Sequence, residues 1–111
     1  MSPAGPLNKT DLQSGIEIME SSGFEVSLAP HVYSKMDYLA GEDEDRLEDL
    51  HDMFRNPDIK AVFCARGGYG TTRLLDRIEY DLIRQNPKIL VGYSDITALL
   101  IAIYKKTGLI T

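Results

Sequence analysis

The sequence predicts a three-layer, doubly wound α/β domain with a mostly parallel sheet, and three observations support that class. The apolar runs Ala61–Ala65 and Lys88–Val91 carry few of the alternating polar residues that mark a half-solvated strand. Stretches with apolar residues at helical spacing lie between and around them. Glycine turns follow both runs, at Gly67-Gly68 and at Gly92. Such turns fall at the carboxyl edge of the sheet, where open α/β folds bind ligands.

The elements follow in chain order. Thr10-x-x-Gln13 reads as a capping box, and Leu12, Ile16 and Met19 then recur at i, i+4 and i+7, predicting a helix that stops at Gly23. Phe24 to Ala29 is a strand candidate ended by Pro30, and a loop follows with Tyr33, Tyr38 and Ala40-Gly41. Glu42-Asp-Glu-Asp45 forms an acidic first turn, where carboxylates favour the positive end of the helix dipole. Leu47, Leu50, His51 and Phe54 continue that helix on one face, and Asn56-Pro57 stops it.

Ala61 to Ala65 is the second strand and runs directly into Arg66-Gly-Gly-Tyr-Gly70. Leu74, Leu75 and Ile78 suggest a short helical segment, and Tyr80 to Gln85 another. Lys88 to Val91 is the third strand. After Gly92-Tyr-Ser-Asp95, a helix over 95–106 places Ile96, Leu99, Leu100, Ile103 and Tyr104 on a core-facing stripe. The resulting alternation is that of Rossmann-like and flavodoxin-like sheets.

Composition removes several function classes. A chain of 111 residues is one domain, and 43% hydrophobic with 26% charged residues is ordinary for a soluble globular protein. The net charge of -5 argues against nucleic acid or an anionic membrane as partner. One cysteine, Cys64, allows no intramolecular disulfide and no cysteine-based metal site. The segment Met1-Ser-Pro-Ala-Gly-Pro6 has neither a basic region nor an apolar one. No run approaches the ~18 apolar residues of a membrane span. A cytoplasmic location is the expectation.

Two turns carry candidate chemistry. Ser94 stands between a strand and a helix, where a serine nucleophile is often held clear of a sheet with helix-start N–H groups beside it. The same position also suits a plain N-cap. Ile96 occupies the place where such elbows usually carry a small residue. Gly67-Gly-Tyr-Gly70 lacks the spacing of a dinucleotide or nucleoside-triphosphate loop. It reads as a turn with positive φ, an anion cradle or an oxyanion hole.

Arg66 is either a carboxylate anchor or one half of a surface ion pair. Asp95 either favours the helix start through its charge or lends its backbone N–H to an oxyanion. His51 reads as a core-edge residue, His31 as an exposed loop residue, and Cys64 as a buried small hydrophobe. The Glu42–Asp45 run reads as a solvated helix start, not a metal site.

Phe63-Cys-Ala-Arg-Gly-Gly-Tyr-Gly70, Asn86-Pro-Lys-Ile-Leu-Val-Gly-Tyr-Ser-Asp-Ile-Thr-Ala98 and Lys106-Thr-Gly-Leu-Ile-Thr111 together resemble the amino-terminal domain of the LD-carboxypeptidases. That serine peptidase family includes the microcin C self-immunity proteins. Ser2-Pro-Ala-Gly-Pro6, resembling the family's first βα turn, and Tyr38-Leu-Ala-Gly41 extend the similarity over essentially the whole chain. The resemblance implies that Ser94 is the nucleophile and that the N–H groups of Gly68, with Gly67 beside it, and of Asp95 form the oxyanion hole. It implies substrate-binding roles for Arg66, Gly67 and Tyr69.

The implied reaction is hydrolysis of the amide between an L-centre and a terminal D-amino acid. A murein tetrapeptide losing D-Ala in peptidoglycan recycling is the typical case. No metal or cofactor is implied, and the full-length form is expected to be a homodimer.

Family members are considerably longer, and their general-base His and its Glu partner lie in a carboxy-terminal domain. Residues 1–111 are therefore expected to be the nucleophile-bearing domain alone, starting after the family's first strand. His31 and His51 match no catalytic position. Loss of a triad's base leaves only binding and the oxyanion hole, a cost of ~10⁴ or more in rate. The isolated chain is expected to be inactive or nearly so.

Overall fold

The computed structural model describes residues 1 to 111 throughout. Helix α1 spans Lys9–Ser21 and α2 spans Asp43–Arg55. Strand β1 is Ala61–Phe63, followed by two 3₁₀ turns at Thr71–Arg73 and Leu75–Arg77. Helix α3 (Tyr80–Gln85), strand β2 (Ile89–Val91) and helix α4 (Ile96–Thr107) complete the order.

Strands β1 and β2 are parallel neighbours, with Ala61 opposite Ile89, Val62 opposite Leu90 and Phe63 opposite Val91. The Cys64 N–H adds one more rung by donating to the Val91 carbonyl at 2.9 Å. On the other side of β1, the Met1 amino group donates to the Phe63 carbonyl at 3.0 Å, and the Ala65 N–H donates to the Met1 carbonyl at 2.9 Å. That offset pair is a single parallel-ladder rung between Met1 and Cys64.

Val62, Cys64 and Leu90 point into the core, where they join Leu47, Leu50 and Phe54 of α2, Ile83 of α3, and Ile96, Leu99 and Ile103 of α4. Three apolar residues on one face of α4 bury completely because the 3.6-residue period stacks them. Gly108 ends α4 at φ 80°, a conformation that a Cβ would disfavour. No helix is long and apolar enough to cross a membrane.

Several expectations change. Phe24–Ala29 forms no strand, and Phe24 is 59% exposed. A strand needs a neighbour's backbone. No backbone hydrogen bond joins residues 25–28 to any other segment. Asn8, not Thr10, caps α1, its Oδ1 accepting from the Thr10 N–H at 2.9 Å. Gln13 lies within the helix and bonds to Glu17.

The expected segment around Leu74, Leu75 and Ile78 is a pair of 3₁₀ turns, and the remaining strands are shorter than their apolar runs. The helical cover is dense on one sheet face only. Phe63, Ile89 and Val91 of the opposite face are exposed, and α1 buries none of its residues. What forms is a small parallel sheet with helices packed on it; the third layer is not built by these residues.

Candidate active site

Three turns meet at the carboxyl edge of the sheet: Pro3–Pro6, Arg66–Gly70 and Gly92–Asp95. The parallel register of β1 and β2 sends the second and third turns off side by side. Gly67 lies directly against Ser94: a Cβ on Gly67 would sit 2.9 Å from the serine Cβ and 3.2 Å from its Oγ. The Pro3–Pro6 turn closes the other side, with the Gly5 N–H donating to the Gly67 carbonyl at 3.3 Å. Gly68 has φ 138°, and a Cβ there would come within 2.9 Å of the Gly5 nitrogen. Both the backbone angle and the close approach of the first turn demand glycine.

Ser94 is exposed and has φ 60°. A non-glycine residue there costs about 1–2 kcal/mol, and such strain concentrates at functional sites. The plain N-cap reading does not hold, because α4 has no side-chain cap hydrogen bond and its first contact with Ser94 is the Thr97 N–H on the Ser94 carbonyl, at 2.9 Å. Ile96, which looked too large for a tight elbow, packs over Gly92, whose missing Cβ would stand 2.9 Å from the Ile96 Cβ. Here the small residue two places before the serine makes the room.

The main-chain N–H groups of Gly68 and Asp95 donate to no backbone carbonyl. Gly68 belongs to the second turn, and Asp95 directly follows Ser94 on the third. Asp95 differs from expectation in its side chain. Its carboxylate does not cap α4 but accepts from the Thr71 N–H at 3.0 Å.

Arg66 forms no ion pair: its Nε and Nη1 donate to the carbonyls of Gly67 and Pro6, each at 3.2 Å. These bonds lay the guanidinium of the exposed Arg66 across the first and second turns and leave Nη2 without a hydrogen-bond partner. Tyr69 is exposed and meets Tyr38 edge to face, with ring centroids 5.8 Å apart. Tyr38 stands on a tight turn whose Asp37 has φ 57°.

Arg46 was not singled out by sequence, yet it is 1% exposed and anchors the site from below. Its Nη1 donates to the Pro3 carbonyl at 2.7 Å and the Gly70 carbonyl at 3.2 Å, while Nη2 pairs with Asp43. Asp43 also holds Arg73 at 2.9 Å, and these arginines keep its carboxyl below the usual range. The acidic first turn of α2 is thus engaged by arginines, Glu44 being paired with Arg77. A charge at a core-facing position of α2 was the available signal.

The histidines are occupied elsewhere. His31 Nδ1 lies 2.9 Å from the buried Asp49 carboxylate, which raises its pKa, so it is a fixed residue and not a loose one. His51 Nε2 accepts from the Glu79 N–H at 3.0 Å, and burial lowers its pKa, as suits a core-edge position. Burial pushes the Cys64 thiol up to about 11, consistent with a small core hydrophobe.

Residues 1–111 match the family model described as LD-carboxypeptidase N-terminal domain. The chain is 46% identical over 111 residues to the "Probable murein peptide carboxypeptidase" of Bacillus subtilis strain 168, covering 100% of this chain and 35% of that one. It is 39% identical over 110 residues to the microcin C7 self-immunity protein MccF of Escherichia coli, covering 98% and 32%. Among solved structures, the MccF-like protein of Bacillus anthracis strain Ames superposes with a TM-score of 0.94 at 38% identity, covering 98% of this chain and 34% of that one. The chain thus spans about a third of the length of the relatives it matches. A full-length match to the family model, reached with the glycine turn and the serine elbow in contact, makes this chain a member of the LD-carboxypeptidase N-terminal domain family.

Proposed function

We propose that this chain is the nucleophile-bearing domain of a serine LD-carboxypeptidase, acting on the amide between an L-centre and a terminal D-amino acid of a murein-derived peptide in the cytoplasm. The observation that carries the reading is Ser94 at φ 60°, exposed at the sheet edge and seated on Gly67. Ser94 Oγ attacks the amide carbonyl, and the carbonyl oxygen, becoming negative, meets the N–H groups of Gly68 and Asp95. Each such donor is worth ~10²–10³ in rate when preorganised. The unpartnered Nη2 of Arg66 suits the substrate's terminal carboxylate, and Tyr69 offers it an aromatic wall.

The serine proton needs a base, and the hydrogen bonds of this chain's histidines go elsewhere than Ser94: His31 meets Asp49, and His51 Nε2 accepts from the Glu79 N–H. The reading therefore assigns the imidazole and its carboxylate partner to a carboxy-terminal domain and expects a homodimer of the full-length form. The Bacillus subtilis relative, named for murein peptides, supports this substrate class. Similarity to MccF favours a second reading, a microcin C-type self-immunity peptidase.

The test is release of D-alanine from an L,D-tetrapeptide by the complete product of the gene that encodes these residues. The reading predicts release that Ser94→Ala abolishes. Hydrolysis of a microcin C-type substrate alone selects the second reading. Absence of both activities, with Ser94 unreactive, leaves a non-catalytic small-anion-binding module.

A further inference from the structure

We propose that Thr71 is a positioning residue that holds the two oxyanion donors at a fixed separation, acting through Asp95; this deepens the serine-peptidase reading and rests on it. Thr71 is fully buried at the end of the glycine turn, where Gly70 at φ 116° turns the chain into the first 3₁₀ turn. Its N–H donates to Asp95 Oδ2 at 3.0 Å. Its hydroxyl lies 2.7 Å from the Asp95 main-chain oxygen and 3.0 Å from Oδ2, and donates to this pair of acceptors.

An aspartate at a helix start ordinarily turns its carboxylate onto its own helix, where free N–H groups wait. Asp95 instead spends its carboxylate on a residue 24 positions earlier. The bonds tie the backbone directly after Ser94 to the backbone directly after the glycine turn. The Gly67–Ser94 contact joins the same two segments from the other side. Between these two fastenings lie the N–H groups of Gly68 and Asp95, which no backbone carbonyl accepts. A carboxylate oxygen bonded to both the N–H and the hydroxyl of one residue makes a charge-assisted link that resists sliding better than a single neutral bond.

The clamp acts on the transition state more than on binding. A substrate carbonyl tolerates a small offset, whereas the oxyanion needs both donors within hydrogen-bond reach. Thr71→Val removes the hydroxyl at constant shape and keeps the N–H. In the complete gene product, with D-alanine release as the assay, Thr71→Val is expected to lower kcat about tenfold to a hundredfold while KM changes less than about twofold. Thr71→Ser restores the hydroxyl and is expected to recover kcat to within about threefold of wild type. The rate at which a fluorophosphonate labels Ser94 should fall and recover in parallel.

Wild-type kcat in a folded Thr71→Val protein, or a loss that falls on KM alone, overturns the proposal. So does a kcat loss that Thr71→Ser fails to recover. If Thr71→Val does not fold, Asp95→Asn carries the test: it keeps the Asp95 N–H and weakens the clamp, and an unchanged kcat in it overturns the proposal. Failure of the underlying reading looks different. In that case wild-type protein neither releases D-alanine nor takes label at Ser94, and the clamp falls with it.

Discussion

Replacing Gly67 by alanine separates a catalytic use of the serine elbow from a merely structural one. The added methyl would stand 2.9 Å from the Ser94 Cβ, 3.2 Å from its Oγ and 3.3 Å from the Tyr93 carbonyl oxygen. Carbon–carbon contacts relax near ~3.5–4.0 Å, so the serine side chain must retreat by roughly 0.6 Å or more. Gly67 does not have positive φ, so alanine there brings no left-handed backbone strain. The perturbation therefore falls on the position of Oγ. A displacement approaching 1 Å costs ~10² in the rate of an attack that requires near-contact alignment.

The assay is the second-order rate of fluorophosphonate labelling at Ser94, read by mass spectrometry, with the melting temperature measured alongside. Gly15→Ala serves as the control: nothing lies within 4 Å of its added methyl, and in mid-helix it is expected to stabilise by about 0.5–1 kcal/mol with labelling unchanged. Labelling of Gly67→Ala at the wild-type rate, in a folded protein, would refute the reasoning.

Two further outcomes follow from packing and charge. Gly92→Ala drives a methyl into Ile96 and is expected to destabilise by about 1–3 kcal/mol; shortening the neighbour in Gly92→Ala/Ile96→Val should recover part of the loss, as read by chemical denaturation. Asp49 raises the His31 pKa in the folded state, so this pair contributes most at pH below about 6.5 and its contribution fades as pH rises through the raised value. His51, lowered by burial, has the opposite dependence, so the difference between wild type and Asp49→Asn isolates the pair. The melting-temperature gap between the two should be larger near pH ~5.5 than near pH ~8; a gap independent of pH would count against the ion pair.

The parts of the fold legible in sequence were those whose signal is local. Helices α1, α2 and α4 follow from apolar spacing, and β1 and β2 from apolar runs that stop at glycine. The Phe24–Ala29 strand failed because a strand is a property of a pair, and no neighbouring backbone bonds to residues 25–28. The contact between Gly67 and Ser94 was legible because two parallel strands must end at the same edge.

The supports of that contact were not legible. Thr71 looks like any small polar residue after a glycine turn, and its bond to Asp95 spans 24 positions with no periodic trace. Arg46 breaks the apolar pattern of α2, but only the fold shows that its charge is used to hold carbonyls of two turns. His31 sits in a loop, and its carboxylate partner belongs to a helix 18 positions later. Long-range polar pairs leave no signature that a single sequence can display.

The central claim is that Ser94 is a nucleophile held against its own oxyanion donors. Its most direct test is mass mapping of a fluorophosphonate adduct on the complete gene product. One adduct is expected, on Ser94, lost in Ser94→Ala and slowed in Gly67→Ala. An unlabelled Ser94 in active protein, or an adduct on another serine that persists in Ser94→Ala, would contradict it.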